Sequence, residues 1–191
     1  FFAFSIASMF SNAELSAEDW PQWRGLNRDG ISSETGLLTQ WTEKGPDRLW
    51  TVSVGVGASS IAVRDNFAYT MGNINDEDII YCLKSKTGEK VWSYAYEAPF
   101  TERRFEGGTA STPTVDGNRV YTMSYTGELY CLDAKTGEVK WSINIQKEFN
   151  GKPAGWGYAG SPLVVDNMLI VETGSKEGSL IALNKYSGSL I

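Results

Sequence analysis

The residues of this chain best suited to chemistry sit in two stretches. Glu102-Arg103-Arg104-Phe105-Glu106-Gly107-Gly108-Thr109 concentrates charge beside flexible glycine. Arg103 or Arg104 can fork onto a ligand carboxylate, and Glu106 can ligate a hard cation such as calcium. The favoured reading of the same residues is a solvated loop held by local Arg–Glu pairs, which are common and weak. Trp156-Gly157-Tyr158 sets two aromatic rings around a glycine. Such a pair can form a stacking floor for a planar ligand, or it can seal a wall, because a buried Trp or Tyr needs only one polar partner. No residue set is assigned as a metal site, and no catalytic base stands out. Asp65, Asp116 and Asp166 lie between short apolar runs and read as turn formers.

Composition removes several chemistries. The chain has 191 residues and no histidine, which excludes a Ser-His-Asp triad, an HExxH zinc site and a CxxCH haem attachment within it. Seventeen Lys+Arg against 23 Asp+Glu give a net charge of −6 with the two signs interspersed. A nucleic-acid partner, which would need a basic face, is not expected. Hydrophobic residues at 41% supply a globular core, and 20 Gly scattered between short apolar runs suit an all-β chain with many turns.

The elements that must position these residues repeat. Tyr81-Cys82-Leu83-Lys84-Ser85-Lys86-Thr87-Gly88-Glu89-Lys90-Val91-Trp92 recurs 49 residues on as Tyr130-Cys131-Leu132-Asp133-Ala134-Lys135-Thr136-Gly137-Glu138-Val139-Lys140-Trp141. A third copy runs from Ile181 to Ile191, 51 residues further. Ahead of each copy lies a second shared pattern, beginning at Ser60, Thr112 and Ser161, so each unit holds four short β-runs. Asp65-Asn66, Asp116-Gly117-Asn118 and Asp166-Asn167 separate the first two runs and suit hairpin turns. The first copy is three residues longer between its middle runs, which predicts a longer hairpin tip over Asn73 to Asp78. Four antiparallel strands repeated at about 50 residues are the signature of a β-propeller blade, whereas a β-sandwich would not repeat a Thr-Gly-Glu turn and a Trp at fixed offsets. The blades are expected near 59–96, 111–145 and 161–191, the last incomplete.

Within the repeats, Gly88, Gly137 and Gly188 follow a hydroxyl residue between third and fourth strands and are read as turn devices. Trp92 and Trp141 open the fourth strands, where a large flat ring can dock against the neighbouring blade. Trp50, in Arg48-Leu49-Trp50-Thr51-Val52-Ser53-Val54, resembles the same residue of a fourth strand without its blade. Cys82 and Cys131 occupy equivalent positions, with Ala182 in the third copy, so the position wants a small buried side chain and no disulfide is expected.

Phe1 to Phe10 is an apolar run of ten, followed by small residues at Ser11 and Ala13. This predicts that 1–13 is a signal-peptide remnant, the alternative being a buried N-terminal strand or helix. A transmembrane segment is not expected, since spanning a bilayer takes roughly 20 apolar residues. With neither an initiating Met nor a basic stretch before Phe1, the sequence is expected to be truncated at its start. Residues 14–47 then form a leader, and 48–191 a partial propeller. Export would place the protein in the periplasm or outside the cell.

Cys131 to Trp141 resembles the tryptophan-docking motif AxDxxTGxxxW of the pyrroloquinoline-quinone (PQQ)-type propeller repeats, with Cys for the first Ala. The first copy departs by Lys84 in place of Asp, and the third stops at Ile191, one residue short of the Trp. The leader Asp19-Trp20-Pro21-Gln22-Trp23-Arg24-Gly25 with Arg28-Asp29-Gly30 is similar to that of exported PQQ-like propeller proteins, a group related to the assembly lipoprotein BamB and to quinoprotein alcohol dehydrogenases. The resemblance implies a propeller of about eight blades, of which about three are here. It implies one of two functions: a non-catalytic scaffold presenting its face to a protein or polysaccharide, which is the favoured reading, or a PQQ-dependent alcohol or sugar dehydrogenase. The dehydrogenases of the family call for a catalytic Asp, Glu and Asn calcium ligands, often a vicinal Cys pair, and a Trp stacked on the cofactor. Only the last has a candidate, Trp156. No cofactor is firmly implied, and binding of PQQ with calcium would require the full-length protein.

Overall fold

The computed structural model describes residues 17–100 and 107–191. The expected signal remnant therefore falls outside the described residues. Three antiparallel sheets follow one another along the chain. The first joins β1 (Ala62–Arg64), β2 (Phe67–Ile74), β3 (Glu77–Lys84) and β4 (Lys90–Glu97) in sequential order. The second repeats this with β5 (Thr114–Asp116), β6 (Arg119–Met123), β7 (Glu128–Asp133) and β8 (Val139–Asn144). After a five-residue helix α1 (Ile145–Phe149), the third sheet has β9 (Leu163–Val165), β10 (Met168–Glu172) and β11 (Leu180–Asn184), and Leu190 bridges back to Leu183. The innermost strands neighbour one another, β1 beside β5 and β5 beside β9, so the sheets radiate as blades from a common inner edge.

Local chemistry explains the turns. Asp65 and Asn66 (φ 51° and 68°) link β1 to β2, and Asn75 and Asp76 (φ 52° and 65°) link β2 to β3. Both pairs sit in the left-handed region that two-residue hairpins require and that Asn and Asp tolerate. The extra residues of the first repeat lengthen β2 and β3 rather than the tip: the pairing continues through Asn73↔Asp78 to Ile74↔Glu77. A run of residues that alternates sides continues a ladder more favourably than it leaves backbone groups unpaired. Asp116 also differs from its expected place, since it closes β5 and the turn itself is Gly117-Asn118.

The core lies between blades. Tyr69, Met71, Ile80, Cys82 and Trp92 of the first sheet meet Val115, Val120, Leu132 and Ala134 of the second. Tyr121, Met123, Leu129 and Cys131 of the second meet Leu169, Val171 and Leu183 of the third. Both cysteines are free and fully buried, and burial pushes the Cys82 thiol up to about 11.

Each blade junction is built the same way. Trp50 Nε1 donates to Ser85 O at 2.9 Å, Trp92 Nε1 to Ala134 O at 2.9 Å, and Trp141 Nε1 to Lys185 O at 3.1 Å. The three carbonyls belong to the residue three places before Gly88, Gly137 and Gly188. A Cβ on those glycines would lie 2.6, 2.7 and 2.9 Å from the Trp50, Trp92 and Trp141 rings, and each glycine has φ between 71° and 74°. The glycine thus serves twice, holding the left-handed turn and letting the indole lie flat on the backbone. Trp50 makes this dock from a segment without strand pairing, so the ring position does not depend on the strand.

Candidate functional site

Antiparallel order gives the blades two faces. One carries the β1–β2 and β3–β4 turns, tied together by Ser85 N donating to Asn66 O, with the same link from Ala134 to Asn118 and from Lys185 to Asn167. The other carries the β2–β3 tips and the long loops between blades. There Ala98 N donates to Asp76 O, and Tyr158 N to Tyr125 O. Of the residues of chemical interest, Trp156 and Tyr158 belong to this loop face. Arg103, Arg104 and Glu106 lie outside the described residues.

Trp156 and Tyr158 are placed unlike each other. Tyr158 is 1% exposed, its ring lies over Gly127, and its hydroxyl donates to Thr173 O at 3.0 Å. Trp156, two residues earlier, is 61% exposed on a turn where Gly157 N donates to Ala154 O. Tyr158 therefore packs the wall of the third blade junction, while Trp156 presents an indole to solvent at the loop face.

Beside the Ala98–Phe100 segment a polar network is buried. Asn73 Nδ2 donates to Asp78 Oδ1 at 2.8 Å and to Ala98 O at 3.0 Å, and Tyr96 O–H donates to Asp78 Oδ2 at 3.4 Å. Burial raises the Asp78 carboxyl above its ordinary value, and the hydrogen bonds from Asn73 and Tyr96 oppose that shift without cancelling it. Asp78 fixes the Asn73 side chain, and Asn73 in turn holds the start of the loop. This network was not visible in the sequence, where both residues read as part of a hairpin tip.

A second feature missed from the sequence links the inner strands. Ser60 N donates to Thr112 Oγ1 at 3.3 Å, and Thr112 N to Ser161 Oγ at 2.9 Å. These three residues head the inner-strand pattern of each repeat, and the hydroxyls of the second and third blades each receive the backbone of the blade before. The recurring hydroxyl at this position was the available signal.

The leader runs along the inner edges. Trp20 and Val63 exchange backbone hydrogen bonds at 2.8 and 2.9 Å, Val115 N donates to Pro21 O at 2.7 Å, and Asp65 N donates to Asp19 Oδ1 at 3.1 Å. The segment thus crosses from β1 to β5 on the side facing the propeller axis. It then turns sharply against the start of β9, with Arg24 and Arg28 at φ 64° and 62°. Such conformations cost an ordinary residue on the order of 1–3 kcal/mol and persist only where surrounding structure holds them.

Comparison with known proteins places this architecture. Residues 76–191 match the family described as outer membrane protein assembly factor BamB, a PQQ-type repeat family. The chain belongs to that family. Among solved structures it is similar to a europium-containing methanol dehydrogenase (TM-score 0.56, 19% identity, 75% of this chain and 26% of that one). It is also similar to the quinohemoprotein alcohol dehydrogenases of Comamonas testosteroni (TM-score 0.53, 19% identity, 72% and 21%) and Pseudomonas putida HK5 (TM-score 0.52, 19% identity, 73% and 20%). These likenesses show the fold, a β-propeller, and the chain spans about a fifth to a quarter of those proteins' length. No curated protein matches the sequence.

The PQQ-type repeat makes PQQ with a metal ion the cofactor pair to test against the residues present. Among the described residues no three Asp, Glu or Cys side chains converge, and the one buried carboxylate described above, Asp78, is engaged by Asn73 and Tyr96. Trp156 is an exposed ring. The described residues do not fit a quinone–calcium site. Among them no helix is long and apolar enough to cross a membrane.

Proposed function

We propose that this BamB-family propeller is an exported, non-catalytic scaffold that presents its loop face to a protein partner of the cell envelope. The observation that carries the reading is the family match, which runs from β3 of the first blade through the second and third and is described as that of an assembly factor. Two structural features support it. The leader lies along the inner edges of β1 and β5, filling space beside the axis with chain rather than with a polar catalytic group. The loop face offers an exposed Trp156, the type of side chain that anchors protein interfaces.

Site-specific photocrosslinking in cells exporting the full-length protein tests this. A photoreactive residue in place of Trp156, at the loop face, is expected to give one discrete protein adduct. The same residue in place of Lys86, on the opposite face, is expected to give none. Equal adducts at both positions, or none at Trp156, would remove the loop face as the docking surface. A PQQ-dependent oxidation of alcohols or sugars by the full-length protein would replace the scaffold with a dehydrogenase.

A further inference from the structure

A cleft of about 200 Å³ opens between the leader turn and the start of β9. Arg24 and Arg28 line it together with Trp23, Ser161, Pro162 and Leu163. Both arginines hold left-handed backbone, at φ 64° and 62°, in a turn closed by Gly25 N donating to Gln22 O and Gly30 N donating to Arg24 O. Left-handed positions favour Gly and Asn, so arginine there runs against local preference. The turn is also braced from beneath, because the Trp20 ring lies on Gly25, where a Cβ would come within 2.7 Å of it. Arg24 is fixed by one nitrogen, Nη2, which donates to Asp29 O at 3.0 Å. Among the described residues neither guanidinium is in an ion pair, and no carboxylate lines the cleft, in a chain whose net charge is −6.

Two unpaired guanidinium forks on one cleft are a carboxylate receptor in form, since the planar fork matches the two oxygens of that group. The other wall is apolar, made by Pro162, Leu163 and the indole of Trp23, which is 56% exposed. A flat indole beside a cationic pair suits a ring with a C–H face and an acid substituent. The volume is below the roughly 300–1,000 Å³ of pockets that enclose drug-sized ligands, and it admits one sugar ring. We propose that this cleft binds a carboxylated pyranose, a uronic acid residue of an acidic oligosaccharide, with Arg24 and Arg28 on the carboxylate and Trp23 against the ring. Trp156 is not among the residues that line the cleft.

Calorimetric titration of the full-length protein with digalacturonate, its methyl ester and acetyl-Gly-Gly tests the assignment. Digalacturonate is expected to bind, with the ester and acetyl-Gly-Gly each weaker by about tenfold or more, as loss of a charge-assisted fork or of the ring contact requires. Arg28→Gln is expected to weaken digalacturonate by about tenfold, and Trp23→Ala by a similar factor. Arg28 makes no side-chain hydrogen bond among the described residues, so its replacement leaves the turn intact, which near-UV circular dichroism verifies. Arg24→Gln adds a second arm in which both fork and turn are affected. Absence of digalacturonate binding by the unmodified protein, or unchanged affinity in a folded Arg28→Gln variant, overturns the site. Equal binding of the ester overturns the arginine role, and equal binding of acetyl-Gly-Gly overturns the sugar.

Discussion

Replacing Trp92 by Ala removes the ring that joins the first blade to the second. Trp92 is 9% exposed, and an aromatic side chain of this kind buries roughly 150–250 Å², which at about 25 cal/mol/Å² is worth roughly 4–6 kcal/mol as an upper figure. Measured Trp→Ala losses in cores run at about 3–5 kcal/mol, and that is the expected range. The hydrogen bond adds little to it. Ala134 O also accepts from the Tyr69 hydroxyl at 3.2 Å, so the carbonyl keeps a partner when the indole is gone. Trp92→Phe, which keeps most of the ring, is accordingly expected to cost about 1–2 kcal/mol. Gly137→Ala approaches the junction from the other side. It costs about 1–2 kcal/mol for the left-handed backbone alone, plus the displacement of the indole. In a Trp92→Ala background only the backbone cost remains, so the two changes couple by about 1 kcal/mol or more. Urea unfolding of the four variants of the full-length protein measures this. A Trp92→Ala loss below about 1 kcal/mol, or strict additivity with Gly137→Ala, would refute the docking argument.

Two further outcomes follow from single residues. Asp78 has a raised carboxyl pKa because it is buried, so in the folded state it holds its proton to higher pH than in the unfolded chain. Stability is therefore lost as pH rises from the unfolded value through the folded one, and the penalty is fully present above the folded value. Asp78→Asn is expected to stabilise the protein at neutral pH and to lose that advantage below the unfolded pKa of an aspartate, as thermal melts of both proteins across that range will show. In the second repeat, Asp133 Oδ1 accepts from Lys135 N, Thr136 N and Thr136 Oγ1, whereas the first repeat has Lys84 there, paired with Glu89 at 2.7 Å on an exposed surface. Lys84→Asp trades a weak surface pair for turn hydrogen bonds and is expected to gain about 0.5–1 kcal/mol in chemical denaturation; a loss would show that the turn does not reform.

Repetition is what made the fold legible. The Trp and Gly of each copy recur at fixed spacing, and the structure brings each Trp onto the Gly of the next unit, including Trp50 whose own strand is absent. The Asp-Asn and Gly-Asn turns were legible because their backbone demands few other residue types. What repeats less faithfully was harder. Tyr69 and Tyr121 share a role, each donating its hydroxyl to the carbonyl that the tryptophan also reaches, but the third copy has Ile170 there. Asn73 and Asp78 looked like tip residues because both are polar, and only the register of β2 against β3 reveals that they face each other inside. The path of the leader is set by which strand edges are free, a tertiary fact that Trp20 and Pro21 do not encode locally. Of the candidate site, Trp156 was legible as a loop aromatic without a repeat partner. Its separation from Tyr158 depends on Tyr125, Gly127 and Thr173, residues that no spacing rule connects to it.

The scaffold reading meets its most direct test in a titration of PQQ with calcium into the full-length protein, followed by tryptophan fluorescence beside a Trp156→Phe variant. The scaffold predicts no saturable quenching at micromolar affinity in either protein, and among the described residues no calcium-ligand cluster forms. Saturable quenching in the unmodified protein that disappears with Trp156→Phe would contradict it and make the dehydrogenase the leading reading.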